Sequence, residues 1–319
     1  MINSNKIKQL IENSSNVVIV SHKNIDLDAL GTDLGLYFIC KSFGKDAYII
    51  VEDETFSPEI RRALSTIEKK DNITIKKYSD IKRFINDKTL LIIADTNKKS
   101  RLQNIELLEI KDKVLIDHHI KSDDEIQDLI YEYIDTNESS AAEIAMDLIN
   151  ELNTYIPSEI ATIMLSGIYI DTNGFILKTN ENTHSCAATL YSFGADNKEA
   201  SRLLKQNFNE YKRRQTLIMK TEFYNEVAIT ISDELIYNTT ELAKACDVLL
   251  TFNHVEAAYV IAKIDENTIG ISARSLGNID VEEVMTHFSG GGHKTDAGAQ
   301  VKGSDVFKIK ENLLNYIGG

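Results

Sequence analysis

Residues 113–119, KVLIDHH, set the reading of the whole chain. Val114, Leu115 and Ile116 form a short, largely β-branched run of the kind that makes a buried strand, and it ends on Asp117, His118 and His119. Two other runs end in the same way: NVVIVSH at 16–22 closes on His22, and LLIIADT at 90–96 reaches Asp95. In an α/β sheet the carboxyl ends of parallel strands converge, and ligands bind there. These five side chains are therefore expected around one point, although nearly a hundred residues separate the first from the last.

Outward from these runs, AYIIVE (47–52), ITIKKY (73–78) and LIYEYID (129–135) are further strand candidates, with helical segments at Leu27 to Lys41 and after Ser57. Strand and helix alternate, which predicts a parallel sheet flanked by helices. Gly31, in the Ala29-Leu30-Gly31 turn of the first of these helices, suggests close packing of the helix start on the sheet. A helix is expected from Ser139 to Leu152, opened by a capping box of Ser140 and Glu143. A second, more apolar one from Ile156 to Ile170 delivers Asp171. A charged helical stretch, Asn197 to Lys220, then leads to a second pattern: EVAITISD, a helix near Thr240, AAYVIAKI, TIGISARS and a terminal helix after Ser304. The expected division is a first α/β domain at 1–195, a helical linker at 196–224 and a smaller α/β domain at 225–319. Lys212, Arg213 and Arg214 read as the solvated face of the linker helix rather than as a phosphate patch.

Composition narrows the function classes. The chain has 319 residues, 43% of them hydrophobic, and only Pro58 and Pro157 as prolines, so it reads as folded throughout, with two cores. The first residues lack a signal-peptide apolar region, and Ala161 to Ile170 is far shorter than the ~20 residues of a membrane span. A soluble protein with no membrane partner is expected. Cys40, Cys186 and Cys246 are scattered and odd in number, which suits free thiols in the cytoplasm. A net charge of −14 argues against a binder of long nucleic acid, while acidic clusters neutralised by divalent metals would still accept small anionic substrates.

The chemistry gathers in SHKNIDLDALG, where His22, Asp26 and Asp28 follow a strand, and in Asp95, the Asp117-His118-His119 run and Asp171. Imidazole mixed with carboxylate suits Mn, Fe or Zn. Each motif alone has an ordinary structural reading, such as an Asp capping the next helix. Together they leave chance placement a poor explanation. In the second half, SARS (272–275) carries Arg274 and Ser275, and SGGGHKTDAGAQ (289–300) carries Gly290, Gly291, Gly292 and His293. Successive glycines let backbone N–H groups approach an anion, and Arg274 is a planar donor suited to phosphate. His184, His254 and His287 have no partner pattern and read as ordinary surface or packing residues.

In this order the motifs resemble the DHH phosphoesterase family, and the second-half motifs resemble its DHHA1 domain; together they span Ser21 to Gln300. The resemblance implies a parallel-sheet DHH domain followed by a smaller α/β DHHA1 domain and two divalent ions, with Mn²⁺ expected. One ion would be held by His22, Asp26 and Asp95, the other by Asp28, Asp95, His118 and Asp171. His119 and Asp117 would be catalytic, His119 contacting the scissile phosphate or leaving group and Asp117 orienting His118 or His119. Arg274, Ser275, Gly290, Gly291, Gly292 and His293 would bind substrate. The implied reaction is hydrolysis of short oligonucleotides or linear dinucleotides to mononucleotides. Where stand-alone oligoribonucleases of the family show Asp-Pro-Asp-Ala-Gly-Ser, this chain has Asp26-Leu27-Asp28-Ala29-Leu30-Gly31. Its SSAAEI segment and GGGHKTDAGAQ are similar to the catalytic half of cyclic-di-AMP phosphodiesterases, which makes that activity the alternative. Their membrane and sensory regions have no counterpart here, which suits either a free-standing relative or a piece of a longer chain. A family II-like pyrophosphatase and a non-catalytic nucleotide sensor are further alternatives, and a homodimer stays open.

Overall fold

The computed structural model describes residues 2–68, 73–121, 124–303 and 305–318. The chain divides into two compact units, Met1–Lys205 and Gln206–Gly319. The first begins with α1 (Ser4–Asn13), β1 (Asn16–Val20), α2 (Leu27–Ser42), β2 (Ala47–Ile50), α3 (Pro58–Ile67), β3 (Ile75–Lys76) and α4 (Tyr78–Ile81). It continues through β4 (Thr89–Ala94), β5 (Asp112–Asp117), β6 (Tyr131–Ile134), α5 (Ala141–Glu151), α6 (Ser158–Asp171), α7 (Glu181–Ser192) and α8 (Asn197–Leu203). Six strands form one sheet in the order β3-β2-β1-β4-β5-β6, every pair parallel.

Both faces of this sheet are covered, which is why β1 and β4 read as unbroken apolar runs rather than as alternating ones. Val17 and Ile19 pack into one apolar layer, Val18 and Val20 into the other. On the first side α2 is buried around most of its circumference, because it lies against both α5 and α6. The approach of α2 to α6 uses glycine: a Cβ added at Gly31 would sit 2.9 Å from Met164 Cα. Gly31 thus serves helix–helix packing, whereas the sequence suggests packing on the sheet.

Three other expectations need correction. ITIKKY pairs only at Ile75 and Lys76, at the sheet edge. The charged stretch 197–220 is broken into α8 and α9 (Phe208–Ile218), the second capped by the Asn207 side chain. Arg213 on α9 is half-exposed but engaged rather than free in solvent: its Nε lies 2.7 Å from Glu241 Oε1 and its guanidinium covers the Tyr237 ring.

The second unit continues with β7 (Glu222–Tyr224), β8 (Val227–Ser232), α10 (Thr239–Leu249), β9 (Ala257–Lys263) and β10 (Thr268–Ser275). It ends with α11 (Val281–His287), β11 (Gly291–His293), β12 (Asp296–Lys302) and α12 (Val306–Ile317). Its sheet runs β11-β12-β10-β9-β8-β7 and is mixed, only β8 and β9 being parallel. Along β9, Tyr259 and Ile261 face one core while Val260 and Ala262 face another. Among the described residues no helix is long and apolar enough to cross a membrane. Cys40, Cys186 and Cys246 are buried free thiols.

Candidate functional site

In the first unit the strand order reverses between β1 and β4, and such a reversal opens a crevice at the strands' carboxyl ends. His22 lies just beyond β1, Asp95 just beyond β4, and β5 ends at Asp117 with His118 and His119 following. Asp95 adopts φ +56°, a left-handed conformation that Asp reaches more readily than most residues. Asp26 caps α2, its Oδ1 accepting the Ala29 N–H, while its Oδ2 lies 3.4 Å from His22 Nε2. The capping and the metal-ligand readings of Asp26 are thus compatible, one oxygen serving each.

His22 and His118 are both fixed through Nδ1. His22 Nδ1 donates to the Lys23 carbonyl at 2.8 Å, and His118 Nδ1 to the Glu138 carbonyl at 3.3 Å. That leaves Nε2 of each turned inward. His22 Nε2 is 3.2 Å from Asp95 Oδ2; His118 Nε2 is 3.3 Å from Asp95 Oδ1, 3.8 Å from Asp28 Oδ2 and 3.9 Å from Asp171 Oδ2. Ligating atoms within 4.8 Å of one another group as His22, Asp26, Asp95 and as Asp28, His118, Asp171. Asp95 offers one oxygen to each histidine. His119 also groups with Asp95 and His118, but its Nδ1 donates to Asp117 Oδ1 at 2.8 Å.

The electrostatics call for a cation. Burial disfavours charge on His22 and His118, yet the surrounding carboxylates outweigh it and push them up to about 11 and about 10. Asp95 is held well below the usual carboxylate range: burial opposes this, and the His118 and His22 imidazoles prevail. Asp28 and Asp171 are raised, first by burial and then by neighbouring aspartates. Asp95 Oδ1 and His118 Nε2 are buried without a hydrogen-bond partner. An orphaned carboxylate oxygen beside an orphaned imidazole nitrogen fits a divalent cation, whose charge would displace the protons. These His/Asp clusters can hold divalent metal ions.

The expected capping box at Ser140 is absent. The Ala141 and Ala142 N–H groups donate instead to Asp28 Oδ2 and Oδ1, at 2.8 and 2.9 Å. The Ser139 and Ser140 hydroxyls turn to Glu143 Oε1, and Thr183 Oγ1 donates to Glu143 Oε2 at 3.2 Å. Asp28 is thus held by the first turn of a helix more than a hundred residues away. Nothing in the sequence marks this, nor the Glu138 carbonyl, because the partners are backbone groups.

In the second unit, Arg274 and Gly290 to Gly292 line a cleft of about 600 Å³ with Thr239, Ser272 and Asp296. Arg274 is paired, its Nε 3.3 Å from Asp247 Oδ1 and its Nη1 2.6 Å from Asp296 Oδ1. Gly291 and Gly292 lie in β11, paired with β12, rather than in an open loop, and the Gly290 N–H just before it is spent on the Met285 carbonyl at 2.9 Å. A Cβ at Gly290 would fall 2.2 Å from the Gly298 carbonyl oxygen. Close backbone approach alone requires glycine there. Ser275 Oγ donates to the Ile279 carbonyl at 2.6 Å, and neither Ser275 nor His293 is among the residues lining the cleft.

A parallel α/β unit with His/Asp clusters fit for divalent cations, followed by a mixed-sheet unit, is the architecture of a metal-dependent phosphoesterase. The chain belongs to the DHH/DHHA1 phosphoesterases: the DHH family N-terminal domain matches residues 16–168 and the DHHA1 domain matches residues 223–318. It is 32% identical to the cyclic-di-AMP phosphodiesterase GdpP of Bacillus subtilis over 98% of this chain and 49% of that protein. The chain therefore spans about half the length of that relative. It is 26% identical to the bifunctional oligoribonuclease and PAP phosphatase NrnA of Thermus thermophilus, over 94% of this chain and 89% of the relative. The crystal structure of an exopolyphosphatase-related protein from Bacteroides fragilis shares the fold, with a TM-score of 0.80 at 22% identity, covering 98% of this chain and 95% of that one.

Proposed function

We propose that this chain is the catalytic part of a phosphodiesterase that opens a cyclic dinucleotide, cyclic di-AMP, using two Mn²⁺ ions. The observation that carries the reading is the 32% identity to the Bacillus subtilis enzyme across 98% of this chain. It reverses the order in which the sequence ranks the substrates. Linear dinucleotides and short oligonucleotides become the second reading, which the relative from Thermus thermophilus supports over most of both chains.

His22, Asp26 and Asp95 would hold one ion, and Asp28, Asp95, His118 and Asp171 the other. Bound there, divalent ions make water a nucleophile near neutral pH and offset charge on the phosphate. The mixed imidazole and carboxylate donors favour Mn²⁺ over Mg²⁺, which prefers oxygen ligands and retained waters. His119 would turn Nε2 to a phosphate oxygen or the leaving oxygen, since its Nδ1 is held by Asp117. Asp117 also accepts the His118 and His119 backbone N–H groups at 2.9 and 3.2 Å, which supports an orienting role. In the second unit, Arg274 and Gly290 to Gly292 would bind nucleotide.

The test is steady-state hydrolysis with Mn²⁺ of cyclic di-AMP, linear pApA, pAp and pyrophosphate. The expected result is the highest kcat/KM on cyclic di-AMP. A higher value on pApA, with cyclic di-AMP left intact, overturns the substrate assignment in favour of the second reading. Turnover of pyrophosphate alone overturns the phosphodiesterase reading.

A further inference from the structure

The loop leaving α6 carries backbone strain that the metal ligands do not require. After Asp171, residues Asn173, Gly174 and Phe175 stand at φ +47°, +74° and +63°. Asparagine and glycine tolerate this region, whereas a bulky aromatic there is an outlier that its surroundings must hold in place. The Phe175 ring stacks on the His184 imidazole, with centroids 5.6 Å apart and 25° between planes. Tyr169 braces Phe175 edge-on at 6.0 Å and 83°. His184 is exposed, so the stack reaches solvent through its imidazole. The sequence gives His184 no partner, and the fold provides one.

The stack is joined to the candidate metal ligands through its neighbours in the chain. Tyr169 precedes Asp171 by two residues on α6, and the Phe175 N–H donates to Thr172 Oγ1 at 2.9 Å. On the other flank, the start of α7 is tied to the turn that orients His118. Asn180 Nδ2 donates to the Asn137 carbonyl at 3.0 Å, and Asn182 Nδ2 to Glu138 Oε2 at 3.1 Å. Two short segments, one following Asp171 and bearing Phe175, the other tied to the turn that holds His118 and bearing His184, therefore meet in this stack.

We infer that the His184–Phe175 stack is a nucleobase platform: a purine ring lies on the exposed imidazole face and extends the stack to three layers, holding one nucleoside of the substrate on the Asp171 side of the cluster. The inference rests on the nucleotide-cleaving reading above and names the part of the substrate that this rim receives. Base–aromatic stacking needs only a π-face, so the platform accepts either purine and supplies affinity rather than base identity.

The experiment uses the full chain with Mn²⁺ and the variants His184→Ala, Phe175→Leu and His184→Phe. His184→Ala and Phe175→Leu are expected to raise KM for an adenine dinucleotide by about five- to a hundredfold. They should leave kcat within about twofold and kcat/KM for a linear dinucleotide with both bases replaced by hydrogen unchanged. His184→Phe, which restores a ring, should return KM to near the unsubstituted value. Unchanged KM in His184→Ala, or equal losses on the base-bearing and base-free substrates, overturns the platform. A second arm needs no turnover: equilibrium binding of a 2-aminopurine dinucleotide, whose fluorescence is quenched by stacking. Quenching by the unsubstituted chain that His184→Ala abolishes supports the platform even where no phosphodiester is cleaved, an outcome that would sink the reading above alone. Binding without quenching overturns the platform while leaving that reading intact.

Discussion

Asp95 follows an unbroken buried strand and turns one carboxylate oxygen to each of two histidines. Asp95→Ala removes the group common to both ligand sets, and turnover is expected to fall by more than about a hundredfold. Far-UV circular dichroism should be unchanged, and metal analysis should show bound Mn²⁺ falling with activity; near-native turnover with two ions bound would refute the assignment. Glu143 answers to pH. Burial, and then Glu138, pushes its carboxyl up to about 7 from 4.5. Below the unfolded value both states carry the proton; between the two values the folded chain alone keeps it, so stability falls as pH rises through that window. Urea melts in EDTA from pH 4 to pH 8 should show this slope, and Glu143→Gln should flatten it. An equal slope in the variant would place the titration elsewhere. At this scale the sequence is most legible where a strand ends, since His22, Asp95 and His118 are found by their position after apolar runs. It is least legible where the partner is a backbone group, as with Glu138 and His118.

Helices α2 and α6 meet where there is no room for a side chain. A Cβ at Gly167 would lie 2.7 Å from Asp28 Cα and 2.8 Å from the Leu27 carbonyl oxygen. Gly167→Ala must therefore push apart the two helices that carry Asp28 and Asp171. We expect a stability loss of about 1–3 kcal/mol, the usual cost of overpacking, together with weaker metal binding in a calorimetric titration. A destabilised variant with unchanged metal affinity would separate the packing from the site. The elements themselves were largely legible in sequence, because strands buried on both faces and helices with caps follow local rules. Two local readings failed for a common reason. Ser140 and Glu143 have capping-box spacing, yet the first turn of α5 is satisfied by Asp28, and Gly31 meets a helix rather than the sheet. Long-range partners overrode the local pattern in both.

The chain is two units with separate cores, the first ending at Lys205. Residues 1–205 alone should unfold cooperatively and bind metal, while nucleotide affinity falls because Arg274 and the Gly290 to Gly292 hairpin are gone. Equal dinucleotide turnover by the fragment and the full chain would leave the second unit without a part in binding. The sequence places the joint in a stretch that contains both α8 and α9, and periodicity did not reveal the break between them because Lys205, Gln206 and Asn207 are polar or charged like much of their flanks. The buried thiols also give the molecule its own reporters. Cys40 and Cys186 lie in the first unit and Cys246 in the second, and burial pushes the Cys40 and Cys246 thiols up to about 12. None can react as a thiolate until its surroundings open. Pulsed alkylation read by mass spectrometry would therefore time the opening of each unit separately, with no label introduced, and added Mn²⁺ should slow Cys40 and Cys186 while leaving Cys246 on its own clock.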